Sequence, residues 1–124
     1  MTESKNKSMV NNDAGFVERR QHPRIISKII ATFTDDSGKQ ARSLIYDISI
    51  GGANAECFFS PRVGTRLLVS FLLTLDDEKH KIDAISEVVH CICIPDEKRF
   101  SVGLSFLKLA RNGAELIQQY IDTH

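Results

Sequence analysis

The sequence predicts a small closed β-barrel of six antiparallel strands with a C-terminal α-helix and a flexible N-terminal arm. Three observations support this fold class. Apolar residues alternate over short stretches from Ile25 onward, turn-forming residues separate these stretches, and the apolar spacing becomes helical after Leu109. Closure into a barrel is expected because it removes the exposed edge strands of an open sheet. A chain of 124 residues has the length of one domain.

The first three strands follow from alternation and turn chemistry. The first begins at Ile25 and ends at the Asp-Asp-Ser-Gly sequence of residues 35–38, which is typical of a hairpin turn. The second strand is predicted at about residues 40–48 and the third at about residues 52–59. On the first strand, four residues are expected to face the core: Ile25, Ile29, Ala31 and Phe33.

The fourth strand has the clearest pattern, an unbroken alternation of Leu67, Val69, Phe71, Leu73 and Leu75. Residues 76–79 are predicted to form a turn, and the fifth strand covers about residues 81–94. A second turn at residues 95–98 leads to the sixth strand, which covers about residues 100–106. Four phenylalanines are expected at core-facing positions: Phe33, Phe71, Phe100 and Phe106.

The C-terminal segment is predicted to be an amphipathic helix. Asn112 is a suitable N-cap, and Glu115 lies three residues later, as in a capping box. The apolar stripe at helical spacing consists of Leu116, Ile117, Tyr120 and Ile121. We expect this stripe to cover one end of the barrel, with Tyr120 in the core rather than in a ligand site.

Charge and composition exclude several classes of function. The 16 Lys and Arg residues balance the 16 Asp and Glu residues, so no global field attracts the chain to DNA or to an acidic membrane. No apolar run approaches the roughly 20 residues that span a bilayer, and the first residues lack the apolar stretch of a secretory signal. We expect a cytoplasmic protein with no DNA binding and no membrane insertion.

The three cysteines fit a reducing compartment, because an odd number cannot pair fully within one chain. Cys91 and Cys93 are two residues apart on a predicted strand, so both are expected on one face as small buried apolar residues. Neither these cysteines nor His90 has the ligand spacing of a zinc site. The sequence predicts no metal site.

The chain is predicted to divide into a flexible polar arm at residues 1–17 and a barrel domain at residues 18–124. The arm has few apolar side chains, so it is expected to be disordered without a partner. Residues 1–24 hold five basic side chains against three acidic ones. This gives a neutral protein a locally positive segment.

Three arginines, Arg19, Arg20 and Arg24, lie directly before the first strand. Pro23 favours an extended backbone at His22, so this segment is not expected to be helical. Each guanidinium offers five donors in a planar fork that suits phosphate oxygens or the O6/N7 edge of guanine. A solvated basic turn would have the same composition, and this cluster alone favours that simpler interpretation.

A second polar cluster lies between the second and third strands, in the sequence Asp47-Ile48-Ser49-Ile50-Gly51-Gly52. Asp47 and Ser49 are expected to point the same way from the strand end. The carboxylate can accept from the N1–H and N2–H₂ groups of guanine, and the hydroxyl can donate to a phosphate oxygen. Gly51 and Gly52 supply a positive φ or a close backbone approach. The alternative is a simple Asx turn with a glycine bulge.

Together the two clusters are more specific than either alone. Arg20-x-x-x-Arg24 followed by Asp47-x-Ser49-x-x-Gly52 resembles the signature of the PilZ domain, a bacterial family with a six-stranded β-barrel and a C-terminal helix. The segment Gly103-Leu104-Ser105-Phe106 is similar to the family's last-strand pattern. The resemblance covers about residues 18–122 and implies that the chain binds the second messenger cyclic di-GMP.

The resemblance also implies roles for individual residues. The paired arginines would grip guanine edges and phosphates, while the Asp-Ser-Gly set would close on the other side of the nucleotide. In this family an arginine at the position of Arg19 accompanies an intercalated ligand dimer, so two cyclic di-GMP molecules per chain are expected. The chain has no Trp to stack on the ligand from the fifth strand, and Val88 falls near that place. The predicted ligand-binding residues are Arg19, Arg20, Arg24, Asp47, Ser49, Gly51 and Gly52.

The resulting expectation is a cyclic di-GMP receptor or adaptor whose arginine arm orders on binding and signals to an unidentified effector protein. Motility, exopolysaccharide, biofilm and virulence are its possible outputs, and the chain is expected to be a monomer or a weak homodimer. One alternative is a PilZ-like adaptor that binds no nucleotide. A small nucleic-acid-binding barrel is another, although it would need a basic face with interleaved aromatic residues.

An enzyme is not expected. Ser49 has no neighbouring His or Lys in the sequence to activate it, and Asp47 has no paired carboxylate. The four histidines are scattered along the chain and are interpreted as surface or strand residues.

Overall fold

The computed structural model describes residues 24–95 and 97–124, which form a closed antiparallel barrel and a terminal helix. The strands are β1 (Ile25–Thr34), β2 (Gln40–Ile48), β3 (Gly52–Cys57), β4 (Arg66–Leu75), β5 (Glu78–Ile94) and β6 (Arg99–Leu109), and the helix is α1 (Gly113–Asp122). Around the barrel the order is β1-β2-β3-β6-β5-β4, and β4 pairs with β1 to close it. This confirms the predicted fold class.

The interior of the barrel is filled by the alternating apolar side chains of every strand. The largest fully buried ones include Phe33, Ile45, Ile48, Val69, Leu73, Ile82, Val88 and Val102. Phe71 is also buried, whereas Phe100 and Phe106 are half-buried and pack against this core. The four phenylalanines therefore contact the core as predicted.

Helix α1 closes one end of the barrel. Leu116, Ile117 and Tyr120 are buried in the core cluster, as the apolar stripe predicted. The Tyr120 Oη lies 2.5 Å from the Ser27 Oγ and joins the helix to β1. The predicted capping box is wrong: Asn112 occupies the N-cap position with φ −97° and ψ 31°, and its side chain makes no capping hydrogen bond. A capping side chain requires an extended N-cap backbone, which this residue does not adopt.

Three strands differ from prediction in their boundaries: β6 continues to Leu109, three residues beyond its predicted end, and β5 and β3 differ at the neighbouring turns. Strand β5 begins at Glu78 because Asp76 and Asp77, with φ 50° and 66°, complete a two-residue hairpin turn between β4 and β5. Strand β3 ends at Cys57. Phe58 beyond it is 77% exposed, whereas Phe59 packs edge-on against Phe33 with ring centroids 6.1 Å apart.

Four β-bulges change which side chains face outward. They lie between Ile26 and Ile29 in β1, between Ile45 and Asp47 in β2, and at Ile85–Ser86 and Val88–His90 where β5 pairs with β6. Each bulge inserts one unpaired residue and shifts the alternation by one position.

The bulge in β5 leaves Val88 fully buried and opposite Leu104, while His90 lies opposite Gly103. Beyond it the end of β5 is only partly covered. Cys91 is half-buried and packs against the core, but Cys93 is exposed, so the prediction that both are buried is wrong for Cys93.

Candidate functional site

Arg24 of the arginine motif meets Asp47 of the Asp-Ser-Gly motif where β1 begins and β2 ends. Arg24 Nη1 lies 3.4 Å from Asp47 Oδ1, and both side chains are about a quarter or less exposed. Asn54 on β3 donates through Nδ2 to Asp47 Oδ1 at 3.0 Å and to Oδ2 at 3.1 Å. Asn54 pairs with Asp47 because of the bulge in β2. The carboxylate is therefore held between a guanidinium and an amide.

Arg24 retains an unused donor at this site. Its Nε atom is buried and has no hydrogen-bond partner within the described residues. A buried donor without an acceptor costs roughly 1–3 kcal/mol. A ligand that brings an acceptor oxygen to this nitrogen would remove that cost.

Ser49 lies in the turn that follows β2, where the alternation of the strand no longer applies. It is buried, its Oγ donates to the carbonyl of Gly52 at 3.3 Å, and it accepts from the N–H of Gly51 at 3.2 Å. Its orientation thus differs from the expectation that it would share a direction with Asp47. The Ser49 hydroxyl fixes the shape of the turn beside the Asp47 carboxylate.

The two glycines of this turn serve a close approach rather than a positive φ. In the described residues the positive-φ glycines are Gly38 and Gly64. A Cβ on Gly52 would overlap the carbonyl oxygen of Leu104 on β6, and the N–H of Phe106 donates to the Gly51 carbonyl at 2.9 Å. The turn therefore packs against the backbone of β6 and is hydrogen-bonded to it.

Asp47 belongs to a row of residues that crosses the outside of the barrel. The strand register aligns Asp47 with Asn54, Asn54 with Gly103, and Gly103 with His90. The His90 ring covers Gly103, where a Cβ would overlap it. Neighbouring strands lie about 4.8 Å apart, so the row extends about 10 Å from Asp47 to the ring above Gly103.

Asn54 and His90 were missed by the analysis of the sequence. Asn54 is one polar residue in a short strand, and only the bulged register places it against Asp47. The alternation of β5 would place His90 on the same side as Val88, and the bulge between them reverses this. The available signal was the glycine at position 103, which leaves room for a ring on the adjacent strand.

The sequence of residues 18–123 matches the PilZ domain family. The chain belongs to the PilZ family. None of the curated proteins matches this PilZ domain in sequence. The family assignment confirms the resemblance drawn from the arginine pair and the Asp-Ser-Gly set.

Solved structures share the fold of this PilZ domain. The Bacillus subtilis inhibitor of motility, MotI/DgrA, superposes with a TM-score of 0.75 at 21% identity, over 86% of this chain and 52% of the other. The PilZ domain of YcgR from Escherichia coli, solved with cyclic di-GMP, gives 0.67 at 16% identity, over 86% and 91%. The Klebsiella pneumoniae MrkH complex with cyclic di-GMP gives 0.61 at 18% identity, over 86% and 52%. The chain thus spans about half of MotI/DgrA and MrkH.

The family resemblance also gave Arg19, Arg20 and Val88 a place near the ligand. Arg19 and Arg20 lie outside the described residues. Val88, expected near a ligand-stacking position, is buried in the core, and the ring directed outward in this part of β5 is that of His90.

Residues 24–95 and 97–124 contain no group of three His, Cys, Asp or Glu side chains arranged to hold a metal ion. The same residues include no helix with the length and apolar character needed to cross a membrane.

Proposed function

We propose that this PilZ domain is a cyclic di-GMP receptor whose binding surface is the outward row around Asp47. The contact between Arg24 and Asp47 carries this proposal, because it joins the arginine motif to the Asp-Ser-Gly motif at 3.4 Å. The ligand has two phosphates and two guanines, so it needs cations, guanine-edge acceptors and a backbone that can be approached closely. Residues of these kinds meet at this site.

Asp47 has the capacity to recognise a guanine. A carboxylate can accept about four hydrogen bonds, and three contacts reach this one from Asn54 and Arg24. A guanine that donates from N1–H and N2–H₂ would use the free position and replace the long contact from Arg24. Arg24 would then turn both its Nη and its Nε donors to a phosphate or to guanine O6 and N7.

The other site residues take supporting roles in this proposal. Asn54 orients the Asp47 carboxylate, and Ser49 with Gly51 and Gly52 shapes the backbone that the ligand approaches. A phosphate that accepts from Ser49 Oγ would replace its 3.3 Å bond to the Gly52 carbonyl. His90 presents a ring on which a guanine can stack, about two strand spacings from Asp47.

Arg19 and Arg20 are proposed to contact the same ligand from the segment before β1. Ordering this segment costs about 1–2 kcal/mol per residue, and charge-assisted hydrogen bonds of about 1.5–3 kcal/mol each must offset that cost. Several arginine contacts are therefore required. We propose that the ordered arm is what an effector recognises, and that Arg19 supports two ligand molecules per chain.

The solved structures support this proposal through what their own proteins bind. The YcgR PilZ domain and MrkH were each solved in complex with cyclic di-GMP. MotI/DgrA is described as an inhibitor of motility. A cytoplasmic adaptor that alters motility or a related surface behaviour is the output we propose for this chain.

Isothermal titration calorimetry with cyclic di-GMP tests the site. Arg20→Ala, Arg24→Ala and Asp47→Ala should each weaken binding about tenfold to hundredfold, because each removes charge-assisted hydrogen bonds. Arg42→Ala is the matched control: Arg42 is an exposed arginine on β2 outside the row, and its variant should bind normally. Normal binding by all three site variants would refute the proposed surface. A stoichiometry near one would refute the role of Arg19 alone.

Hydrogen exchange tests the ordering of the arm. Amides of residues 16–24 should exchange more slowly with saturating ligand, because contacts from the three arginines fix the backbone around them. The turn at residues 35–39 is the internal control and should not change, because it lies at the far end of β1 from Arg24. Unchanged exchange at residues 16–24 would exclude an ordering signal.

A further inference from the structure

We propose that the outer face of β1, β4 and β5 is the docking surface for an effector protein, and that it binds an acidic segment with an apolar face. This inference deepens the proposed receptor function and rests on it, since it assigns the surface where the signal is passed on. It involves residues that the proposed nucleotide site does not use.

The surface is a broad open groove with a volume of about 1140 Å³, bordered at one end by Tyr120 and His124 of the C-terminal segment. Its floor combines three exposed aliphatic side chains with the shorter polar side chains of Thr32 and Ser70 between them. Ile30, Leu72 and Leu68 line it and are 62%, 51% and 40% exposed. Ile30 and Leu72 are neighbours across the strands, because they adjoin the paired residues Ala31 and Phe71. Adjacent exposed apolar side chains of this kind mark interaction sites.

The charge around this floor is positive. Lys28, Lys79 and Lys81 line the groove and are exposed. Asp83 also lines it, but its carboxylate accepts a hydrogen bond from Ser70 Oγ at 2.7 Å and lies 3.9 Å from Lys81 Nζ. The contact with Asp83 also engages Lys81, but three lysines face one carboxylate, so the net charge of the groove stays positive. Charge complementarity selects an acidic partner.

The dimensions of the groove favour a protein segment over a small molecule. Small-molecule sites are enclosed clefts of about 300–1,000 Å³ with a few convergent polar groups. This groove is larger and open, and its hydroxyl groups, such as those of Thr32 and Ser70, are spread along the strands among the aliphatic side chains. Single-stranded nucleic acid would require aromatic stacking platforms, whereas the exposed apolar residues here are aliphatic.

Two occupants from the chain itself are disfavoured by charge. A second copy packed about a two-fold axis would bring the same three lysines towards one another. Residues 1–24 carry five basic and three acidic side chains, so their net charge is positive and does not complement the lysines of the groove. An acidic effector segment is the occupant that satisfies both the apolar floor and the lysine rim.

The groove and the proposed nucleotide site share strand β1. Ile26 pairs with Asp47 on one side of the first bulge, and Lys28 and Ile30 line the groove beyond it. Ser27 lies between Ile26 and Lys28, and its hydroxyl is hydrogen-bonded to the hydroxyl of Tyr120 at the border of the groove. An effector in the groove would therefore contact the same strand that begins beside Arg24 and Asp47.

Nuclear magnetic resonance with two synthetic helical peptides tests the chemistry of the surface. Both peptides carry the same leucine face, and their polar faces carry either glutamates or lysines. The glutamate peptide should shift the amide signals of residues 28–34, 68–74 and 79–83, and the lysine peptide should leave them unchanged. Equal shifts with both peptides, or no shift in these residues with the glutamate peptide, would overturn the proposal. Shifts that appear on concentrating the protein alone would replace the effector with a second copy.

Matched variants separate this groove from other exposed patches. Leu72→Asp and Lys81→Glu should weaken the glutamate peptide about tenfold, because one removes apolar contact and the other reverses a rim charge. Ile92→Asp and Lys98→Glu alter an exposed isoleucine and an exposed lysine outside the groove, and should have no effect. Equal weakening by the control pair would overturn the assignment of the groove.

Cyclic di-GMP calorimetry on the same variants distinguishes this inference from the proposed function. Leu72→Asp and Lys81→Glu should bind the nucleotide normally, because neither residue belongs to the row around Asp47. If the unaltered protein binds no cyclic di-GMP, the receptor function fails while the peptide result is still measured. If it binds the nucleotide but not the glutamate peptide, the docking surface alone fails.

Discussion

Arg24 and His90 share a property at the residue scale: each has a buried nitrogen without a hydrogen-bond partner in the described part of the chain. Folded domains satisfy nearly all their buried polar groups, because an orphaned one costs roughly 1–3 kcal/mol. Two such nitrogens lie near the two ends of the Asp47 row, and the third such atom in the described residues, Ser43 Oγ, lies outside the row, so we propose that a ligand supplies the acceptors that the row lacks.

The cysteines permit a prediction at the same scale, because burial separates them by reactivity. Burial raises the pKa of the Cys57 thiol, so it stays protonated at neutral pH, whereas Cys93 is exposed. An alkylating reagent should therefore modify Cys93 first and Cys57 only when the barrel opens. Mass spectrometry after a short iodoacetamide pulse measures the order, with Cys93→Ser as the control. Early labelling of Cys57 would contradict the burial.

The same burial sets the direction of a pH effect. Because the folded pKa of Cys57 is raised above its unfolded value, the folded state keeps the proton longer. Its contribution to stability is full below the ordinary thiol pKa and decreases as the pH rises beyond it. Cys57→Ala should reduce this loss of stability at alkaline pH.

Single residues also mark how far the sequence could predict the site. Arg24 and Asp47 could be selected because their side chains have the chemistry that guanine and phosphate require. Asn54 could not, because its role depends on one unpaired residue in the β2–β3 register. Ser49 was chosen for its hydroxyl, but strand alternation could not predict its orientation, since β2 ends one residue earlier.

At the scale of elements, the bulges determine which face each functional residue occupies. Strand alternation alone predicted the core-facing residues of β1 and β4, because these strands keep their period across most of their length. It failed for Cys93, which lies beyond the bulge in β5 and is exposed, and it gives no account of His90, which the bulge turns away from the side of Val88. A bulge has no strong sequence signature, so the reversal became visible only in the strand register.

A pair of glycine substitutions tests the element contacts around the site. Gly52→Ala should lower the free energy of unfolding by about 3 kcal/mol, because its Cβ would overlap the backbone carbonyl of Leu104. Gly103→Ala should cost less than about 1 kcal/mol, because it meets the His90 ring, which can rotate away. Urea denaturation measures both values. Equal costs would show that the turn after β2 is not fastened to β6 as described.

At the scale of the whole molecule, closure of the barrel makes β1 the strand that connects three features. It pairs with β2 beside Asp47, with β4 in the proposed docking groove, and through Ser27 with Tyr120 of α1. The closed topology was predictable because six short amphipathic strands need to protect their edges. The proposed nucleotide site, the groove and the helix all contact β1. This arrangement depends on strand order and register, which the composition of the strands does not predict.

Thermal unfolding with and without ligand tests the molecule as a unit. A ligand that binds only the folded state at about 100 times its Kd stabilises by about 2.7 kcal/mol, which corresponds to a rise in Tm of about 10 °C for a domain of this size. Cyclic di-GMP should produce this rise in the unaltered protein and in Arg42→Ala, but only about 2–5 °C in Arg24→Ala, whose binding is about tenfold to hundredfold weaker. Cyclic di-AMP should produce none, because adenine lacks the N1–H and N2–H₂ donors that Asp47 would accept from. An equal rise with both dinucleotides would show that the guanine edge is not read at Asp47.

If two molecules bind per chain, the stabilisation should grow about twice as steeply with the logarithm of ligand concentration as it does for one.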